Sequence, residues 1–297
     1  MFTSVSKSPR GQNYNKNETS ANDNITSLVI LQRWPIKTWN SLAERVIYQA
    51  RKIRTLEKED SQNFMLILSQ SDLDEFLQKR KSNSDLIGGL LGTEGSHALD
   101  GELKNIERLF NEGFRMMSLQ HFFDNKLGGS LHGISGNGLT QFGQEAIQEM
   151  LRLGIMIDVS HSSENVVKDV LNLSDQPILV SHTGFNGHCP SSRNISDSLM
   201  KEIAKKDGLV AVGFWHAAVC NNTPQSVAEA IQYGIELIGA KHVALGSDFD
   251  GAVRPGFDTS ELVAITHELL EAGVKESEIR LVMGENMLNF LKKNLAD

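Results

Sequence analysis

The chain has 297 residues, and 29 Lys and Arg against 37 Asp and Glu leave it a formal charge of −8. With 40% hydrophobic and 22% charged residues it can bury a full core, which excludes wholesale disorder. The acidic balance argues against nucleic acid as a partner, and no apolar run approaches the roughly 20 residues of a transmembrane helix.

In chain order, residues 2–5 read as a strand and the polar stretch 6–24 as a loop. No basic start, apolar core and cleavage site of a secretory signal is visible. Either the protein is cytoplasmic or the sequence starts after its true beginning, so the compartment stays open. Residues 38–56 carry Trp39, Leu42, Ala43, Val46, Ile47 and Ala50 at helical spacing. A short apolar run at 64–68 precedes a helix through 79, with Ser71 or Asp72 as its N-cap. A regular alternation follows. Apolar runs at 86–93, 115–119, 155–159, 178–180, 209–214 and 243–245 are separated by helical patterns at 99–110, 140–153, 164–172, 197–206 and 224–238. Helices at 260–272 and 276–295 close the chain.

Alternating strands and helices imply parallel βαβ units, and continuous apolar runs fit strands covered on both faces. The chain lacks GxGxxG after its first strand and GxxxxGK[ST] anywhere, so neither a dinucleotide fold nor a P-loop is supported. The reading is α/β: a single TIM (β/α)8-type barrel spanning residues 1–297.

In such a barrel, chemistry sits where strands end. Glu94 follows the run at 86–93, His121 the run at 115–119, His161 the run at 155–159, His182 the run at 178–180 and Asp248 the run at 243–245. Each alone has a plain structural reading: a loop histidine, a helix cap, a turn aspartate. Together they place imidazoles and carboxylates at one mouth, a donor set suited to Zn²⁺ or a similar divalent ion and to metal-assisted hydrolysis. A further carboxylate such as Asp248 suits proton transfer. Arg193, on a loop after His182, suits a bidentate grip on a substrate carboxylate, with a surface salt bridge as the plain alternative. His97, His132, His188, His216, His242 and His267 lack this placement or show weaker versions of it; His216 and Trp215 read as wall. The two cysteines, Cys189 and Cys220, read most simply as free thiols, with a single bridge as the other option.

At these residues the chain resembles the membrane dipeptidase (renal dipeptidase) family, the M19 metallopeptidases. The segments are Gly92-Thr-Glu-Gly95, Gly138-Leu-Thr-Gln-Phe-Gly143, Glu149-Met-Leu-Arg-Leu-Gly-Ile-Met-Ile-Asp-Val-Ser-His161, Pro177-Ile-Leu-Val-Ser-His182, Arg193-Asn194, Gly246-Ser-Asp-Phe-Asp-Gly251 and Gly284-Glu-Asn286. The resemblance runs from about Asn24 onward and implies a binuclear zinc site in a metal-dependent hydrolase barrel that cleaves dipeptides. It implies that Glu94 bridges both ions and that His161 and His182 bind the second. His121 would contact substrate and stabilise the tetrahedral intermediate. Arg193 would hold the dipeptide carboxylate, and Asp248 would pass a proton to the leaving amine as a bridging hydroxide attacks. A homodimer is also implied.

One departure stands out. The family's first strand ends in His-x-Asp, which serves the first ion, and none of the nine histidines here is followed two residues on by Asp. The expectation is therefore a barrel without its first βα unit, its chain starting near the second strand. Two rival readings follow: a catalytically impaired barrel with a binding or structural role, and another amidohydrolase such as a lactonase, which gives no reason for Arg193.

Overall fold

The computed structural model describes residues 26–251 and 253–297. The strand expected at 2–5 and the loop expected at 6–24 lie outside the described residues. The chain divides into two compact units. One holds the described residues up to 157 with 161–166 and 294–297; the other holds 158–160 and 167–293.

The first unit starts with α1 (Thr26–Leu31) and α2 (Leu42–Glu59), then β1 (Phe64–Leu66) and α3 (Gln70–Arg80). β2 (Ile87–Gly89), β3 (Leu91–Thr93), α4 (Lys104–Asn111), β4 (Phe114–Ser118), α5 (Gln141–Arg152) and β5 (Met156–Asp158) follow, with Asp158 already in the second unit. The helical spacing at 38–56 is realised in α2, whose Leu42, Ala43, Val46, Ile47 and Ala50 are buried. The first turn of a helix leaves backbone N–H groups without partners. In α2, Ser41 Oγ accepts from the N–H of Glu44 at 3.1 Å. The Asp100 carboxylate accepts from the N–H groups of Leu42 and Ala43 at 2.9 and 3.2 Å. Asp100 reaches them from the left-handed region, with φ +51°.

Two expectations in this unit are corrected. The N-cap of α3 is Ser69, not Ser71 or Asp72: Ser69 Oγ accepts from Asp72 N at 3.0 Å, and the Asp72 carboxylate accepts from Leu68 N at 2.9 Å. The Ser69 cap starts the helix at Gln70, two or three residues earlier than expected. The apolar run at 86–93 is two strands. β2 pairs parallel with β1, whereas β3 pairs parallel with β4. Glycine makes the first pairing possible, since a Cβ on Gly89 would lie 2.7 Å from the Phe64 ring and one on Gly88 2.9 Å from Phe76.

Past β5, α6 (Glu164–Leu173) precedes β6 (Leu179–Thr183). α7 (Asp197–Lys205), β7 (Leu209–Val212), α8 (His216–Val219), α9 (Pro224–Ile238) and β8 (Val243–Leu245) come next. α10 (Val263–Glu271), α11 (Glu276–Arg280) and α12 (Asn286–Asn294) complete the chain. Asp158 pairs with Leu179, β6 with β7 and β7 with β8, all parallel. Every residue of β7 is buried, as a strand covered on both faces requires. The α/β class with parallel strands is as the sequence implies.

The closing helix expected at 276–295 is broken. Gly284 leaves helical geometry in the wide turn 281–285, and the buried Asn286 amide donates to the carbonyls of Ala240 and Val243 at 2.6 and 2.8 Å. The free-thiol reading is also corrected, because Cys189 and Cys220 form a disulfide. They lie on the loops after β6 and β7, and pairing of those strands brings together cysteines 31 residues apart. Among the described residues, no helix is long and apolar enough to cross a membrane.

Asp100→Ala removes a carboxylate that serves two backbone donors and the Ser41 hydroxyl. Urea denaturation is expected to show a loss of about 1–3 kcal/mol, and Ser41→Ala a loss of about 1 kcal/mol.

Candidate functional site

In the first unit, β3 ends at Thr93 and hands the chain to Glu94; Gly95 then turns sharply at φ +97°. A Cβ on Gly95 would lie 2.3 Å from the His97 ring, so only glycine fits here. β4 ends at Ser118 and His121 follows three residues later. His161 follows β5 at the same offset. The three side chains meet. His161 Nε2 lies 3.0 Å from Glu94 Oε1, and His121 Nε2 lies 3.6 Å from the same oxygen. The two rings stand edge to face, 4.7 Å apart. Both histidines are buried, and Glu94 is partly exposed. One ligand atom from each of Glu94, His121 and His161 falls within 4.8 Å of the others.

Backbone groups hold these side chains in place. The Asp124 carboxylate accepts from the N–H groups of Ser130, Ile134 and Ser135 at 2.8, 3.2 and 3.0 Å and folds the loop after His121 around itself. Ser130 Oγ donates to the carbonyl of His121, and Leu131 N donates to that of His161 at 2.7 Å. Phe122 and His132 pack against the cluster, the His132 ring 5.3 Å from that of His161.

The second unit contains His182, Arg193 and Asp248. His182 and Asp248 each offer a ligand atom, within 4.8 Å of one another. Asp248 heads a turn at φ +57°, its carbonyl accepting from Gly251 N at 3.0 Å, so its reading as a turn residue holds as well. Arg193 is buried. Nη1 donates to the Ser160 carbonyl at 2.7 Å and Nη2 to the His182 carbonyl at 2.5 Å, with the Trp215 ring 5.3 Å from the guanidinium. The Asn194 amide donates to the carbonyls of Cys189 and Ala218, both at 2.8 Å. With the disulfide, these bonds pin the Arg193 loop to the loop after β7.

Sequence reasoning passed over Asp158, Ser160, Ser181, His97 and His132. A signal for the serines was present: each directly precedes a histidine, as Ser160-His161 and Ser181-His182. Of the set-aside histidines, His267 is exposed on α10.

A family model described as membrane dipeptidase (peptidase family M19) matches residues 13–296. Dipeptidase aclJ of Aspergillus oryzae is 34% identical over 220 residues, covering 69% of this chain and 51% of that protein. The chain thus spans about half the length of this curated relative. A metallo peptidase from Rhodobacter sphaeroides, solved with a phosphinate mimic of the dipeptide L-Ala-D-Ala, superposes with a TM-score of 0.72 at 24% identity, over 84% of this chain and 74% of that one. The probable dipeptidase PvdM from Pseudomonas aeruginosa gives 0.75 at 18% identity, over 82% and 77%. At such identities the structural likeness is one of fold.

His97 gives a pH-dependent signature. Burial, aided by the neighbouring His121 and opposed by Glu94, pushes its imidazole from 6.5 down to about 3. The folded protein holds it neutral, while the unfolded chain protonates it below about 6.5. Its contribution is therefore complete above pH 6.5 and is lost as pH falls toward 3. Stability measured by urea titration between pH 6 and 4 is expected to fall by about 1.4 kcal/mol per pH unit more steeply in the native chain than in His97→Asn.

Proposed function

The chain belongs to the membrane dipeptidase family, peptidase family M19, and from that premise we propose that it is a metal-dependent dipeptidase using zinc. By the family resemblance, Glu94, His161 and His182 would hold an ion, and Glu94 would also serve the second ion that the resemblance implies. The observation that carries the reading is the pairing of the buried His161 Nε2 with Glu94 Oε1 at 3.0 Å. A carboxylate and neutral imidazoles are the donors zinc favours, so the residues present fit the ion. Zinc bound there supplies Lewis acidity toward a carbonyl and makes water a nucleophile at neutral pH.

The chain's own residues do the rest. Arg193 receives the carboxylate at the C-terminal end of the dipeptide. Its guanidinium already leans on the carbonyls of Ser160 and His182, so little freedom is lost on binding. His121 stands further from Glu94 than His161 does, at 3.6 Å, and is assigned to the substrate rather than to the ion. An imidazole N–H there donates to the scissile carbonyl oxygen as negative charge builds on it. Asp248 takes the proton from the attacking water and delivers it to the leaving amine. The dipeptide mimic bound to the Rhodobacter sphaeroides peptidase supports a dipeptide as substrate.

The test compares hydrolysis of alanyl dipeptides and a lactone by the zinc-loaded protein. Dipeptide hydrolysis is expected to stop on chelation and return with zinc. His161→Ala should lose bound zinc, measured by metal analysis, whereas His121→Ala should keep the zinc and lose kcat. Arg193→Ala should raise the dipeptide KM about 10- to 100-fold, the worth of hydrogen bonds to a charged group. Preferential turnover of the lactone, or a dipeptide KM unchanged in Arg193→Ala, would overturn the reading.

A further inference from the structure

Asp158 closes β5 as a buried carboxylate surrounded by donors. Its Oδ1 accepts from the backbone N–H of Ser160 at 3.1 Å and of Ser181 at 3.0 Å, and from Ser160 Oγ at 2.6 Å. Its Oδ2 accepts from Ser181 Oγ at 2.7 Å. Backbone N–H groups only donate, so the Oδ1 side is fixed as acceptor. A serine hydroxyl carries one proton, and Ser181 places its proton on Oδ2. The Ser181 oxygen then has only lone pairs to offer His182 Nδ1, which lies 2.8 Å away. That contact requires a proton on Nδ1. A neutral imidazole has one N–H, so the lone pair falls on Nε2. The backbone of His182 ends on the same carboxylate, since His182 N donates at 3.2 Å to Ser160 Oγ, which itself donates to Asp158.

We propose that Asp158 is a positioning residue that, through the Ser181 hydroxyl, sets His182 as the Nδ1–H tautomer and thereby makes Nε2 its metal-binding nitrogen. The proposal rests on the metal reading above only in its last clause; the tautomer is a property of the metal-free chain. The direction of the hydrogen-bond chain is what Asp158 contributes, beyond tying β5 to β6. An asparagine of the same shape would keep its carbonyl oxygen toward the two backbone donors and turn its amide toward Ser181. The Ser181 hydroxyl would then accept from the amide and donate to Nδ1. His182 would become the Nε2–H tautomer, with no lone pair on the ligand nitrogen.

The experiment measures the ¹⁵N shifts of His182 in metal-free protein and the zinc affinity by competition with a chromophoric chelator. Native protein and Ser181→Thr are expected to give Nδ1–H. Asp158→Asn should invert to Nε2–H, and Ser181→Ala should give a mixture. Zinc affinity should fall about 10- to 100-fold in Asp158→Asn and Ser181→Ala and be retained in Ser181→Thr. If Asp158→Asn does not fold, the Ser181→Ala and Ser181→Thr pair decides. An Nε2–H signal in the native protein, or zinc affinity equal to native in Ser181→Ala, overturns the proposal. If the tautomer behaves as stated and the native protein binds no zinc, the positioning of His182 stands and the metal reading fails.

Discussion

A carboxylate buried at the end of a strand is tolerated only when donors surround it, because desolvation of an unpaired charge costs several kcal/mol. Asp158 meets that condition with two backbone N–H groups and two hydroxyls, drawn from the ends of β5 and β6. The arrangement fixes more than itself. Once Ser160 N and Ser181 N point at the carboxylate, the carbonyls of Ser160 and His182 are left to accept from Arg193. A histidine ring and a guanidinium are thus held by one set of strand-end peptides, and neither can shift without disturbing the other.

The first unit solves a similar problem with a loop. Asp124 collects three backbone N–H groups from residues 130–135, and the loop closes over its carboxylate. Gly133 is part of this solution, since a Cβ there would lie 1.8 Å from Asp124 Oδ1. The wrapped loop brings Ser130 and Leu131 onto the carbonyls of His121 and His161. In both units a buried carboxylate organises the peptides that carry the imidazoles. Such shells set ring orientation and basicity in metal sites generally.

The sequence carried the rhythm of strands and helices and the residues after each strand, because period and burial are local properties. Glu94, His121 and His161 were legible on that basis, and the first unit brings them together. Pairing was not legible. The run at 86–93 looks continuous because its leucines and glycines suit a strand on either side of Leu90, and only the rings of Phe64 and Phe76 show which sheet the first half joins. Likewise the disulfide depends on two loops being neighbours, a fact that lies in strand order and not in the 31 residues between the cysteines. Asp158 was hidden for a different reason. In Ile155-Met-Ile-Asp-Val159 it reads as a lone polar residue in an apolar run, and its worth appears only when the serines of two Ser-His pairs are seen to share it.

Arg193 is buried, a fact that its place on a loop in the sequence does not reveal. A surface arginine pairs weakly, at about 0–1 kcal/mol, and spends side-chain entropy to do so. Here the loop is clamped before any ligand arrives, by the Cys189–Cys220 bridge and by the Asn194 amide on two carbonyls. The guanidinium lies near the Trp215 ring and against two carbonyl oxygens. In the proposed carboxylate grip, the same clamping means that little motion of the loop is needed when the anion docks.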